Sequence, residues 1–153
     1  MKLLKLIFSL YIILAISFNT YANSNKIIGK WEVDSKDAIF EFYEKDGKFY
    51  SKLVYGAQVI EEDGITSKKD TSNPDKALRN RDLIGITNIT GLVFEDGKYL
   101  YGKIYDGRSG DLYDCKIKIV DNVMHLRGYM RFSWLGQTTK WHRYSQLSDS
   151  GDK

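Results

Sequence analysis

Three times in this chain a two-residue turn pair stands between runs that alternate apolar and polar residues. "AIFEFYE" and "KFYSKLVY" flank Asp46-Gly47, "GLVFE" and "KYLYGKIY" flank Asp96-Gly97, and "DLYDCKIKIV" and "VMHLRGYM" flank Asp121-Asn122. Asp, Asn and Gly tolerate positive φ, so such pairs make the tight turns whose twist matches that of antiparallel strands. Period-two alternation puts one set of side chains on each face of a strand. "IIGKWEV" precedes the three hairpins, and "RFSWLG" and "QTTKWHRY" follow them with Gly136 at the bend. The expectation is an all-β chain of about eight antiparallel strands in a meander. Aromatic residues make up 14% of the chain and there is one proline, which suits strands around a compact core. A meander of that size can close into a barrel and so remove its exposed edges. A two-sheet sandwich competes, but its crossings need longer connections than most of these.

One long interruption lies between Tyr55 and Leu83. "EEDGITSKKDTS", residues 61–72, is polar and aperiodic and reads as a loop; loops of that length in small domains are functional or disordered. Asn73 then has the character of an N-cap, with Pro74 in the first helical position and Asp75 in the first turn. This predicts a short helix near 74–81, docked on the barrel end through Ala77 and Leu78. On such a helix Asp75 and Arg79 stand four apart and can pair. Arg81 has no partner there. It either sits near the last carbonyls or reaches over the barrel mouth, to fix the loop as a lid or to meet an anionic ligand.

The N-terminus bounds the compartment. Lys2 and Lys5 precede an uncharged, mostly apolar run from Leu6 to Phe18, and "NTYA" follows. That order describes a secretory signal cleaved near Ala22, because a membrane-spanning helix needs about 20 apolar residues. Residues 23–153 are then expected to form one β-barrel domain in the periplasm or outside the cell, with no stable membrane insertion once residues 1–22 are removed. Two of the 23 basic residues lie in the leader and all 20 acidic residues lie beyond it, leaving a net +1. Such balance gives no case for nucleic acid. Cys115 is the sole cysteine, so no internal disulfide can form. It shares a strand face with Tyr113, Ile117 and Ile119 and reads as a buried, inert hydrophobe.

Several stretches together resemble one family: "GKW" at 29–31, "NPDKALRNRDLIG" at 73–85, "GKIYD" at 102–106, "LRGYM" at 126–130 and "LGQTTKWHR" at 135–143. The chain is similar over residues 23–153 to the exported bacterial proteins of domain-of-unknown-function family 2147. That resemblance implies a compact barrel behind a signal peptide and brings no catalytic residues. Gly107 stands where the family pattern continues "GKIYD" with proline, which loosens that turn. A looser likeness is to lipocalins and fatty-acid-binding proteins, with Gly29 and Trp31 on the first strand and Arg143 near the end of the last. It implies a calycin-like barrel in which Trp31 plugs one end and Arg143 lies across the indole, a cation–π contact.

Chemistry is sparse. His125 and His142 lie on different strands without a cysteine or carboxylate at ligand spacing, so no metal is expected. Asp70, Asn73 and Asp75 lack the glycine turn and distal glutamate of a calcium loop. No nucleophile elbow occurs, and no cofactor is implied. The candidate ligand-binding residues are Asn73, Asp75, Arg79 and Arg81 with two strand pairs, Lys103 with Tyr105 and Arg127 with Tyr129. A cation beside a phenol suits a carboxylate or phosphate; the alternative is a solvated face, or an arginine paired with Asp106 or Asp114. Trp134, near the Gly136 bend, is either a pocket lip or ordinary end-packing, and end-packing is favoured. The reading is a non-catalytic module that binds a small amphipathic or anionic ligand, or an envelope protein. An enzyme of unrecognised type acting on an anionic substrate through Arg127, Tyr129, Lys103 and Asp75 is the alternative, followed by a purely structural or stress-related envelope factor.

Overall fold

The computed structural model describes residues 24–145; the expected signal and its cleavage site lie outside them. Eight strands run in chain order around a closed antiparallel barrel. They are β1 (Gly29–Val33), β2 (Ala38–Lys45), β3 (Lys48–Gly56), β4 (Thr87–Glu95), β5 (Lys98–Asp106), β6 (Asp111–Val120), β7 (Val123–Tyr129) and β8 (Gln137–Arg143). The three anticipated hairpins are present. Both central residues have positive φ in each turn: Asp46 53° and Gly47 71°, Asp96 48° and Gly97 74°, Asp121 49° and Asn122 61°. That is the mirror-image turn the strand twist demands.

Closure comes from β8 returning to β1, with Trp31 opposite Arg143 and Val33 opposite Trp141. Among the described residues no strand edge is left unpaired, and the sandwich alternative is excluded. "RFSWLG" is not a strand. It forms the β7–β8 connection with a 3-10 turn at Ser133–Leu135. β4 begins at Thr87, four residues before the run that marked it, because a bulge at Gly91 (φ 73°) and Asn88 breaks the simple alternation there.

Two apolar clusters fill the interior. The larger holds Trp31, Phe42, Phe49, Tyr99, Ile117 and Trp141 among others, and Cys115 is fully buried within it. Trp31 closes this end of the barrel as expected: it is completely buried, and Arg143 lies 4.1 Å over its ring. Trp31 Nε1 donates to the carbonyl of Ile27 at 2.7 Å, and Arg143 donates to the carbonyls of Ile28 (2.6 Å) and Lys26. The incoming segment is thereby tied across the barrel mouth. A second cluster, Leu53, Val59, Leu83 and Ile86, packs with Ala38 and Phe40 at the opposite end. There the long β3–β4 connection folds over the barrel. Among the described residues no helix is long and apolar enough to cross a membrane.

Candidate functional site

The β3–β4 connection is a loop, as its aperiodic sequence suggested, and carries no α-helix. Its two limbs pair through Ile60 with Ser67 and Lys69 with Asp82, and Lys68 N donates to the Val59 carbonyl at 2.8 Å. The helix expected near 74–81 is a three-residue 3-10 turn, Lys76–Leu78. Its cap is Asp75, whose carboxylate accepts from Ala77 N at 2.9 Å, while Asn73 Oδ1 accepts from Asp75 N at 2.8 Å. Arg79 does not pair with Asp75; its Nε donates to the Asn73 carbonyl at 2.7 Å. Local side-chain bonds to the backbone compete with helix formation, and so short a helix has little cooperative advantage to set against them. Ala77 and Leu78 are exposed, and Val59, Leu83 and Ile86 do the docking.

At the centre of the connection is Asp70, whose side chain has no exposed surface. Its Oδ1 accepts from the Tyr105 hydroxyl at 2.5 Å. Its Oδ2 accepts from Asn73 Nδ2 at 2.7 Å and from Arg81 through Nε at 2.9 Å and Nη2 at 2.8 Å. The Arg81 guanidinium also lies 5.7 Å from the Tyr105 ring centre. Burial alone would push the Asp70 carboxyl up, but bonds from Tyr105, Asn73 and Arg81, with the charge of Arg81, outweigh it and hold it below the ordinary range. Desolvation, then the bond and charge of Asp70, push the Tyr105 phenol up to about 12. This is a donor set around an anion, and the anion is the chain's own carboxylate. Arg81 thus fixes the loop, one of the two tasks its fork suited. Tyr105 belongs to the end of β5, so Asp70 ties the connection to the barrel wall.

Further bonds reinforce the tie. Ser72 Oγ donates to the Arg108 carbonyl at 2.9 Å, and Arg108 bridges Asp106 (Nη2 to Oδ2, 2.8 Å) and Gln58 Oε1. Gly107 sits against Leu83. A Cβ there would lie 2.2 Å from a Leu83 methyl, so glycine in place of proline makes room for Leu83 to dock.

The other candidates lie elsewhere. Lys103 is ion-paired with Asp114 at 2.5 Å on the outer wall, where Tyr129 is the register partner of Asp114. Desolvation raises the Tyr129 phenol, with the Asp114 charge adding to it. Arg127 props the β7–β8 connection, donating to the carbonyls of Ser133 (2.5 Å) and Trp134 (3.1 Å) and to Thr138 Oγ1 (2.9 Å). The structure therefore brings together Asn73, Arg81 and Tyr105, with Asp75 and Arg79 bracing the adjoining turn. Lys103, Arg127 and Tyr129 are not part of that group. Among the described residues no group of three or more His, Cys, Asp or Glu could hold a metal ion. Trp134 is not end-packed; it is 73% exposed.

Two buried polar atoms were not singled out by the sequence. Ser51 is completely buried on the Phe49–Leu53 face of β3, and its Oγ has no hydrogen-bond partner among the described residues. Asn88, 5% exposed on β4, likewise has an unpartnered Oδ1, and it adjoins Ile89, the register partner of Ser51. A serine in phase with Phe49 and Leu53 was the available signal. Ser51 lies between one residue of each apolar cluster, so it marks the boundary between the packed end and the loop-covered end.

An eight-stranded closed meander with Gly-x-Trp on its first strand and an arginine over that tryptophan defines a lipocalin-like barrel. Within that class the chain belongs to the family described as "Uncharacterized protein conserved in bacteria (DUF2147)", whose model matches residues 29–143. A solved structure described as "Protein HP1028 from the human pathogen Helicobacter pylori belongs to the lipocalin family" is similar at 26% identity and a TM-score of 0.69, over 80% of this chain and 85% of that one. No curated protein matches the chain.

Proposed function

We propose that this chain is an exported, non-catalytic binding protein of the bacterial periplasm, and that it takes a small amphipathic molecule with an uncharged polar end. The observation that carries this reading is the pair of unpartnered buried atoms, Ser51 Oγ and Asn88 Oδ1. A buried polar group left without a partner costs about 1–3 kcal/mol, so it persists for a reason. Ser51 can donate or accept and Asn88 Oδ1 can only accept, which together suit a hydroxyl or an amide. A charged ligand end is disfavoured, because both atoms are uncharged and Arg81, the cation at the centre of the β3–β4 connection, is committed to Asp70. The apolar part of the ligand would take the place of Val59 and Leu83 against Leu53 and Phe40, with the β3–β4 connection acting as the cover. The lipocalin-family description of the similar solved structure supports this reading, and the signal-like N-terminus supports export.

Native mass spectrometry of the protein purified from periplasm tests both parts. The expected result is a mature chain beginning at Asn23 with a bound small molecule that Ser51→Val no longer retains while still folding. A wild-type chain with no adduct, or an adduct that Ser51→Val keeps in full, overturns the binding assignment. An intact Met1 in the membrane fraction overturns the export assignment separately.

A further inference from the structure

The β7–β8 connection presents four large apolar side chains to solvent: Met130 (60% exposed), Phe132 (56%), Trp134 (73%) and Leu135 (63%). They are held in place rather than left loose. The Phe132 and Trp134 rings stack with centroids 6.1 Å apart. Phe132 N donates to the Met130 carbonyl at 2.7 Å and Leu135 N to the Phe132 carbonyl at 3.1 Å. The Arg127 fork holds the carbonyls of Ser133 and Trp134 from beneath. Gly136 lies so close to β7 that a Cβ would meet the Gly128 carbonyl oxygen at 2.3 Å. Arg131, at φ 61°, takes a backbone conformation that side-chain-bearing residues rarely adopt. The fold thus spends local strain on keeping an apolar tip outside the barrel.

The segment that carries the tip bears charge of one sign. Residues 122–148 contain no aspartate or glutamate, and they carry Arg127, Arg131, Lys140 and Arg143. Of the acids bordering the stretch, Asp34 contacts His142 at 3.0 Å, Asp114 pairs with Lys103 and Asp111 accepts from the Tyr113 hydroxyl at 3.3 Å, while Asp121 precedes it and Glu32 lies opposite His142. The near-neutral total conceals this local bias.

We propose that this connection is a docking tip for an anionic phospholipid surface, with Trp134, Phe132, Met130 and Leu135 entering the headgroup region and Arg131 and Lys140 meeting the phosphates. An amphipathic indole flanked by apolar and basic residues is suited to that interface. A second copy of the chain fits less well. At 150–250 Å² for a large side chain, the tip offers roughly 500 Å², short of the ≈800 Å² per partner that a stable interface buries. The contact is peripheral and reversible, and it does not depend on the ligand proposed above.

The chain carries its own probe. Of its three tryptophans, Trp31 and Trp141 are buried, so a change in emission on binding reports Trp134. With the mature protein, phosphatidylcholine vesicles containing phosphatidylglycerol should shift emission to the blue and co-sediment the chain, and added salt should weaken both. Vesicles of phosphatidylcholine alone should do little. Phe132→Ser should weaken sedimentation about tenfold, and Arg131→Glu at least fivefold. Tyr101→Ser, exposed on β5, should change nothing and controls for general stickiness. Absence of any shift with anionic vesicles overturns the proposal using wild-type protein alone. A concentration-dependent shift without vesicles, accompanied by a doubled mass, assigns the tip to self-association and overturns it too.

Discussion

Replacing Asp70 with asparagine tests whether the β3–β4 connection is locked by charge. The carboxylate accepts four donor contacts from three side chains. An amide can keep its oxygen toward Asn73 and Arg81, but its nitrogen then faces the Tyr105 hydroxyl, which must give up donating there. Hydrogen bonds to a charged group contribute about 1.5–3 kcal/mol each against roughly 0.5–1.5 for neutral ones. Breaking a buried ion pair typically costs about 3–5 kcal/mol. The Arg81 side chain is 37% exposed and can rehydrate, which places Asp70→Asn at the lower end, near 3 kcal/mol. For a chain of this size that lowers the melting temperature by about 10 °C.

The pH dependence gives a sharper discriminant. The folded Asp70 carboxyl titrates below its unfolded value near 3.9. Its contribution is therefore complete above about pH 4 and disappears as pH falls through the folded value. Urea unfolding of wild type and Asp70→Asn at pH 7 and again below pH 4 should show the gap narrowing in acid. A gap under about 1 kcal/mol at pH 7, or one of equal size at both pH values, would refute the charged lock.

Other substitutions test other joints. Trp31→Ala should cost about 3–5 kcal/mol for the lost side chain, with a further 0.5–2 for the Arg143 contact, read as a lower denaturant midpoint; an unchanged midpoint contradicts the barrel-end role. Arg81→Lys loses the fork that grips Asp70 Oδ2 from two nitrogens and should lower the melting temperature more than Arg79→Lys, which gives up one bond to the Asn73 carbonyl; equal effects mean the Asp70 lock contributes nothing special. Desolvation pushes the Cys115 thiol up to about 12, so at pH 8 it is neutral as well as buried and should resist alkylation until the chain unfolds. Rapid native labelling would show that the barrel opens there.

The hairpins were legible because each is decided within a few residues. Asp46-Gly47, Asp96-Gly97 and Asp121-Asn122 can take positive φ, and period-two patterning on either side fixes which face turns inward. The burial of Cys115 followed from that patterning, and the barrel-end role of Trp31 from the lipocalin likeness. The short helix did not, because Asn73, Asp75 and Arg79 each had a local backbone bond to make that outcompeted a single helical turn. Nor did exposure of Trp134, since an indole in a connection is equally compatible with either side of a surface. The Asp70 lock needs Tyr105, 35 residues away, and the orphaned Ser51 hydroxyl is defined by what other strands fail to place beside it. Sequence determines turns and faces through near neighbours. Which donors meet across the barrel, and which polar atoms meet nothing, is decided only when closure of β8 on β1 brings distant residues into one volume.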